Sequence, residues 1–464
     1  MRLVKGLSGV LLVQAATLSA GPLDGAWFKG TTDKCPIDYQ VGEAMTFTVT
    51  PMEVGELLSP EDWQLDWRRT GDDGIIERGK VPFDGHTPFV YSTKIDRPGF
   101  VRLELVVEDK DGKRYKKQYR GDTTTPEGRR AMNAFERSRR EVFFDGGAGA
   151  AVETLRPVGA PADLAAYWKT FDERLARRPF AAERVLVSTD EAGYRVFAVS
   201  VPCAGVYPVT GYLTVPPEEA GRTYPARLET CGYGDALRSN YEPPPRHRWV
   251  DEIVFTVNPF GVRLPELGGT EADRKALWWA VRDGKGVGHA FSRDQNSDRD
   301  AAFFNGMVLR VKRALQYLKT LLEWNGRDLI ASGPSQGGLQ TIWAAACGEG
   351  VTRAESDITW CCDIYTNGKL RKDKSLNLAG DNWYVEWTDA LGYYDAAIVA
   401  SLVPKTCKVV ITRAGLGDYI CPPTGLARLY NALECPKKIV WSQGSEHGYL
   451  PPRYEGRDTV REED

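Results

Sequence analysis

The stretch that decides the fold is Leu329–Cys347, which reads LIASGPSQGGLQTIWAAAC. It begins as a short apolar strand, turns at Ser335 between glycines, and continues as a helix with an alanine-rich face. A serine held in a sharp turn between a strand and a helix is the arrangement called a nucleophile elbow. The glycines allow the tight turn, and the helix start brings a positive dipole close to the serine. We therefore expect Ser335 to be a catalytic nucleophile.

A serine hydroxyl needs a general base to become a good nucleophile. The chain contains four histidines, His86, His247, His289 and His447. In proteins built on this elbow, the nucleophile is followed along the chain by an acid and then by a histidine. Only His447 lies after Ser335, and it comes soon after a predicted strand at 438–441. His447 is therefore the predicted base.

The third member should be an acid at the end of the strand before that one. Val409–Arg413 is a predicted strand, and Asp418 follows it in a glycine-containing loop. There, Asp418 would hold His447 in the correct tautomer and stabilise the imidazolium. The acids that remain as alternatives are Asp363, Asp381, Asp389, Asp395 and Glu446.

Acyl transfer also needs two backbone N–H donors that bind the oxyanion. One is expected from Gln336, the residue after the nucleophile. The second should come from the loop after an early strand, and the strand Ala226–Thr230 runs into the glycine-flanked Tyr233. Tyr233 is thus the second predicted donor, although an ordinary turn with a buried tyrosine would show the same pattern.

The chain around these motifs alternates predicted strands and helices from about residue 155. Pro161–Arg177, for example, places its large apolar residues on one helical face. Such alternation predicts an α/β domain with a mostly parallel sheet over 155–455. The last residues, 456–464, are rich in charge and predict a tail.

The part of the chain before this domain has a different pattern. Over 21–121, short runs such as Ala44–Thr50 and Gly99–Glu108 are separated by turns, without helical periodicity. This pattern predicts a small all-β sandwich of immunoglobulin type. An irregular extension wrapped on the main domain is the alternative. Residues 122–154, with a glycine cluster at 146–149, predict a flexible linker.

The first 20 residues predict a secretory signal peptide: a basic start at Arg2 and Lys5, then a short apolar stretch that ends at small residues. We therefore expect a secreted or periplasmic protein without an integral membrane span. A net charge of −3 offers no bulk electrostatic reason to bind nucleic acid. The nine cysteines lack the spacing of a zinc site or a disulfide framework.

Four motifs together resemble the acetyl xylan esterase and cephalosporin-C deacetylase family of α/β-hydrolases. They are Gly-x-Ser-Gln-Gly at 333–337, Gly-Tyr-Gly at 232–234, Gly-x-x-Asp-x-x-Cys-Pro-Pro at 415–423 and Glu-His-Gly at 446–448. The resemblance spans roughly residues 155–455. It implies an α/β-hydrolase fold that removes acetyl groups from acetylated sugars or related small esters, with no metal or organic cofactor. It also implies a Ser335–Asp418–His447 triad, with Tyr233 and Gln336 at the oxyanion hole.

The chain departs from that family at one motif: where the family usually has Arg-Gly-Gln after a strand, this chain reads Val257–Gly261, VNPFG. Aromatic residues are dense near the expected cleft, and aromatic rings stack on sugar faces. We therefore expect Trp249 and Trp383 to contact an acetylated sugar or polysaccharide, although packing alone would also explain them. The oligomeric state does not follow from the sequence.

Three functions fit these features. The first is a serine esterase that acts on acetylated carbohydrate. The second is a serine peptidase of the prolyl-oligopeptidase class, which shares the elbow but usually carries a large β-propeller, and the chain has no blade repeats. The third is a non-catalytic carbohydrate-binding protein that keeps the hydrolase fold. The complete order of serine, acid and histidine argues against the non-catalytic protein.

Overall fold

The computed structural model describes residues 21–55, 58–119, 121–233, 251–282, 290–366 and 385–464. The predicted signal peptide, Trp249, Trp383, His247 and His289 lie outside these residues. Within the described part of the chain, no helix has the length and apolar character needed to cross a membrane. All nine cysteines are described, and each is a free thiol.

The N-terminal part consists of two antiparallel sheets. The strands of the first sheet, in their order across it, are β1 (Trp27–Thr32), β2 (Met45–Met52) and β5 (Phe89–Thr93). Those of the second sheet are β4 (Glu77–Pro82), β3 (Trp63–Gly71), β6 (Gly99–Asp109) and β7 (Phe143–Ala150). Alternate residues of β2, such as Met45 and Phe47, are buried in one core with Leu103 of β6 and Phe144 of β7. The prediction of a small all-β domain is confirmed, and its immunoglobulin topology stays a prediction.

The segment predicted as a flexible linker is instead ordered structure. It contains helix α1 (Pro126–Arg137), capped by the Thr125 side chain, and the whole of strand β7. Every residue of β7 is buried, including the glycines at 146, 147 and 149. The prediction of flexibility at this cluster is wrong because neighbouring backbone and side chains approach these glycines from outside the strand.

The second part is built on one mixed sheet. Its strands in sequence are β8 (Glu183–Thr189), β9 (Arg195–Val201), β10 (Val209–Val215), β11 (Tyr224–Glu229), β12 (Ile253–Asn258), β13 (Trp324–Pro334), β14 (Arg353–Asp357), β15 (Lys408–Gly415), β16 (Lys437–Ser442) and β17 (Asp458–Glu463). Their order across the sheet is β17-β16-β15-β14-β13-β11-β12-β10-β9-β8. The strands from β16 to β12 run parallel, and antiparallel strands flank them on both sides. This is the predicted α/β-hydrolase sheet.

Helices pack on this sheet around a large apolar core. After α1, the helices of the described residues are α2 (Leu164–Ala176), α3 (Glu271–Val281), α4 (Phe303–Leu318), α5 (Gln336–Ala346), α6 (Ala396–Val399) and α7 (Pro423–Ala432). The predicted apolar face of α2 is buried, with Tyr167, Trp168 and Phe171 in the core. Both α4 and α5 are buried along almost their whole length, so the helix that follows Ser335 is fixed on several sides.

The predicted C-terminal tail is also ordered. Strand β17 pairs antiparallel with β16 from Asp458 to Glu463 and forms an edge of the large sheet. Its acidic side chains face lysines of neighbouring strands, as in the contacts of Glu462 with Lys408 and Lys438. The prediction of a separate tail at 456–464 is wrong because an edge strand with one solvent-facing side tolerates charge and lacks an apolar signature.

Candidate active site

Ser335 occupies the turn between β13 and α5 in a backbone conformation that side chains rarely adopt. Its φ is +55° and its ψ is −116°, and such a conformation costs about 1–3 kcal/mol. The turn is held by backbone hydrogen bonds: Ser335 N–H donates to the Asp357 carbonyl at 2.8 Å, and the Ser335 carbonyl accepts from Trp360 N–H at 3.0 Å. These bonds fix the serine at the N-terminal end of α5.

A neighbouring loop packs directly against this turn. A Cβ placed on Gly337 would lie 2.8 Å from the Thr230 carbonyl oxygen, so only glycine fits there. The Thr230 hydroxyl lies 2.8 Å from the Gly337 carbonyl oxygen and 3.1 Å from that of Ser332. The loop that leads from β11 to Tyr233 is therefore bound to the elbow.

The three residues predicted as a triad form one chain of hydrogen bonds. His447 Nε2 lies 3.1 Å from Ser335 Oγ, and His447 Nδ1 lies 3.0 Å from Asp418 Oδ2. The second carboxylate oxygen, Asp418 Oδ1, accepts the backbone N–H groups of Ile420 and Cys421, both at 2.8 Å. Asp418 is almost completely buried. Because both of its oxygens are engaged, its orientation towards the imidazole is fixed.

Asp418 also favours the protonated form of the His447 imidazole. Burial by itself would lower the pKa of His447, but the charge of Asp418 and the hydrogen bond to it raise that pKa above its ordinary value. A carboxylate beside the second ring nitrogen thus stabilises the protonated ring. The arrangement can accept a proton from Ser335 and hold it.

The loops that carry the acid and the base lie against each other. The Leu416 N–H donates to the Ser442 carbonyl and the Gly417 N–H donates to the Ser445 carbonyl, each at 3.0 Å. A Cβ on Gly415 would lie 2.6 Å from the Ser445 carbonyl oxygen. A displacement of one loop would therefore displace the other.

Of the residues predicted for the oxyanion hole, one directly follows Ser335 and the other lies on the neighbouring loop. Gln336 is the first residue of α5 and is completely buried. Tyr233 is the last described residue of its loop, and its ring makes edge contacts with Trp360, at 5.4 Å between centroids, and with Phe291, at 6.0 Å. The backbone N–H of Trp360 donates to the Ser335 carbonyl. Trp360 therefore contacts both the elbow and the loop that carries Tyr233.

Three of the alternative acids that the structure describes, Asp363, Asp395 and Glu446, have other partners. Asp363 forms an ion pair with Arg428, and Asp395 accepts the Asp363 N–H at 2.9 Å. Glu446 lies 3.6 Å from Arg139. Asp389 begins a short 3-10 helix, and Asp381 lies outside the described residues.

Among the residues that the structure describes, one group has the spacing of a metal site: Asp418, Cys421 and His447. Two of these three residues already form the hydrogen-bonded chain with Ser335. A metal ion would have to compete for the atoms that this chain uses, so the donor set fits proton transfer better than metal binding.

At the departure from the family motif, the chain forms a compact turn. The Asn258 side-chain oxygen accepts the Phe260 N–H at 2.9 Å, and the buried Arg310 donates to the Pro259 carbonyl at 2.7 Å. This segment is thus well bonded without the Arg-Gly-Gln motif.

The chain is similar to known proteins of one family. The family model for acetyl xylan esterase (AXE1) matches residues 152–459, more than half of the chain. The acetyl esterase Axe7A of Xylanibacter ruminicola is 25% identical over 312 residues, which cover 64% of this chain and 66% of that relative, slightly less than two thirds of its length.

Two solved structures are also similar. An acetyl xylan esterase from Paenibacillus sp. R4 has a TM-score of 0.49 and 17% identity, over 65% of this chain and 94% of that one. Acetyl xylan esterase 1 from Thermoanaerobacterium sp. JW/SL YS485 has a TM-score of 0.48 and 16% identity, over 65% of this chain and 93% of that one. Given the extent of the family match, this chain belongs to the acetyl xylan esterase family of carboxylic ester hydrolases.

Proposed function

We propose that this protein is a serine carboxylesterase that removes acetyl groups from acetylated carbohydrate of the xylan type or from related small esters. The observation that carries the proposal is the hydrogen-bonded chain from Asp418 through His447 to Ser335, at distances of 3.0 and 3.1 Å. Membership of the acetyl xylan esterase family supports the choice of an acetyl ester. A secreted or periplasmic location, expected from residues 1–20, would suit a polysaccharide substrate.

The first half of the reaction transfers the acetyl group to the enzyme. Ser335 Oγ attacks the acetyl carbonyl carbon while its proton moves to His447 Nε2, and Asp418 stabilises the imidazolium. The backbone N–H groups of Tyr233 and Gln336 bind the oxyanion, and one such donor contributes about 2.7–4 kcal/mol to transition-state stabilisation. When the tetrahedral intermediate collapses, the sugar oxygen leaves and takes the proton from His447.

The second half regenerates the enzyme. Water gives a proton to His447 Nε2 and attacks the acetyl carbon of the acyl-enzyme. The bond to Ser335 Oγ then breaks, and the serine oxygen recovers the proton from His447. One acetate and one free hydroxyl are formed for each water consumed.

A panel of three substrates tests this function against the alternatives. We expect the purified protein to release p-nitrophenol from p-nitrophenyl acetate and acetate from acetylated xylan, and to leave a peptide p-nitroanilide intact. Cleavage of the peptide without cleavage of either ester would favour the peptidase. Binding of xylan without hydrolysis of any ester would favour the non-catalytic protein.

The pH dependence of the esterase reports on His447. Its base form is needed for attack, and its pKa is raised by Asp418. We therefore expect kcat/KM to reach its maximum above that raised pKa and to fall as the pH decreases through it. The midpoint of this fall should lie above the pKa of a free imidazole. A pH profile of kcat/KM for p-nitrophenyl acetate measures this midpoint. A midpoint below that of free imidazole would contradict the proposed contact with Asp418.

A further inference from the structure

Strand β7 of the N-terminal sheets reaches the loops of the candidate triad. It pairs with β6 and forms one edge of the four-stranded sheet. On its open side, the end of β7 bonds to residues 36–39, and the part around Gly147 faces the loops after β15 and β16, which carry Asp418 and His447. Its buried sequence, FFDGGAGA, has the small residues that such a close approach requires.

The acid loop touches β7 backbone to backbone. A Cβ on Gly147 would lie 2.5 Å from the Leu416 carbonyl oxygen, and a Cβ on Gly417 would lie 2.1 Å from the Asp145 carbonyl oxygen. Neither position can accept a methyl group unless the loop moves, since real Cβ atoms do not come so close to a backbone atom. Gly417 directly precedes Asp418, so β7 limits where the acid can lie.

One side chain joins the histidine loop to the backbone of β7. Gln443 donates from Nε2 to the Gly147 carbonyl at 2.8 Å, and its Oε1 accepts the Gly147 N–H at 2.9 Å. Both hydrogen bonds are buried. At Gly147, Gln443 thus takes the place of a partner strand, at the start of the loop that leads to His447.

Charged groups reinforce the same contact. Asp145 of β7 is completely buried and pairs with Arg102 of β6, whose guanidinium lies 5.1 Å from the ring centre of Tyr419, next to Asp418. Arg139 lies 3.5 Å from Asp145 and 3.6 Å from Glu446, next to His447. The N-terminal part therefore contacts a direct neighbour of each of these two triad residues.

From these contacts we propose that residues 145–147 of strand β7 are a positioning element of the active site, with Gly147 and Gln443 as positioning residues that keep Asp418 and His447 in hydrogen-bonded register with Ser335. The proposal rests on the proposed function of that triad. A misplacement of about 1 Å in a catalytic group can reduce the rate about 100-fold. The N-terminal sheets then act on the active site through this short segment and are not a separable module.

The test is a pair of matched substitutions in β7. Gly147→Ala places a methyl group against the Leu416 carbonyl of the acid loop. Gly149→Ala places one 2.6 Å from Phe100 and Val152, away from the two loops, and so serves as the control for destabilisation. For p-nitrophenyl acetate, we expect Gly147→Ala to lower kcat at least tenfold, with little change in KM. Gly149→Ala should lower the melting temperature and leave kcat close to that of the wild type.

Two further readouts separate positioning from general loss of structure. If Asp418 moves away from His447, the imidazole loses stabilisation, and the midpoint of kcat/KM for Gly147→Ala should shift to lower pH. The low-field proton resonance of the His447–Asp418 hydrogen bond should shift or vanish in Gly147→Ala and persist in Gly149→Ala. This resonance does not depend on turnover, so it tests the positioning even if the wild type hydrolyses no ester.

If Gly147→Ala does not fold, Gln443→Met replaces it, because methionine has a similar length and makes neither hydrogen bond to Gly147. We expect the same loss of kcat and the same shift in pH midpoint. The proposal is overturned if the folded variant, Gly147→Ala or its replacement, keeps kcat, pH midpoint and proton resonance equal to those of Gly149→Ala. An inactive wild type with an intact resonance pattern would instead contradict the proposed function alone.

Discussion

Replacing Ser335 by alanine is expected to reduce kcat for p-nitrophenyl acetate by about 10⁵–10⁶-fold, because the change removes the atom that attacks the ester. The fold should persist, since within the described part of the chain the Ser335 side chain is hydrogen-bonded to His447 alone. The strained backbone at this position is held by main-chain bonds that alanine retains. Steady-state kinetics, together with the melting temperature of both proteins, measures the effect.

The control for this experiment is the wild type purified in the same way, because a trace of another esterase would limit the measured reduction. Acetyl release at more than about one hundredth of the wild-type rate in several independent preparations of Ser335→Ala would contradict a serine nucleophile, since loss of a nucleophile costs far more.

Asp418→Asn is expected to lower kcat about 10⁴-fold while the geometry is preserved. The asparagine oxygen can still accept the N–H groups of Ile420 and Cys421, but an NH₂ group would then face His447 Nδ1. That donor would favour the tautomer with a proton on Nε2, which cannot accept one from Ser335. The pKa of His447 should fall in the same variant, because the charge that raises it is gone.

The matched control is Asp363→Asn, a change at a buried acid that the sequence leaves as an alternative partner of His447. Asp363 pairs with Arg428, so its loss should reduce the free energy of unfolding. We expect its kcat to remain within tenfold of the wild type. If Asp363→Asn lowers kcat more than Asp418→Asn does, the assignment of Asp418 as the acid is wrong.

The arrangement of the candidate site could be predicted from the sequence because it follows from local signals and a rule of order. Glycines around Ser335 mark the turn, and the ends of neighbouring parallel strands bring loops that are distant in sequence to one edge of the sheet. Asp418 and His447 follow β15 and β16, which are adjacent in the structure. Their roles in catalysis stay predictions.

The contribution of β7 could not be predicted in the same way. Its glycines at 146, 147 and 149 resemble a flexible segment when only local sequence is considered. What selects glycine at 146 and 147 is the approach of Gln443 and Leu416, and Gln443 is nearly three hundred residues away in sequence. Phe100 and Val152 approach Gly149. A single sequence does not show such long-range contacts, so it predicts a linker where the structure has a buried strand.

Strand β14 shows a related limit. Its sequence, RAESD, has little apolar character, yet it lies between β13 and β15 in the parallel part of the sheet. Glu355 of β14 forms a salt bridge with Arg227 of β11 at 2.7 Å. Part of the stability of this strand therefore comes from a charged pair and not from apolar side chains. Hydrophobic periodicity cannot detect a strand that is stabilised in this way.

The central claim is that acetyl transfer passes through Ser335, activated by His447. Mass spectrometry after rapid acid quench of the wild type with p-nitrophenyl acetate tests it most directly, with Ser335→Ala treated in parallel. We predict one acetyl group on the proteolytic peptide that contains Ser335, formed within the first turnover and absent from the variant. Rapid ester hydrolysis by the wild type with an acetyl group on a different residue, and with equal labelling of Ser335→Ala, would contradict the account.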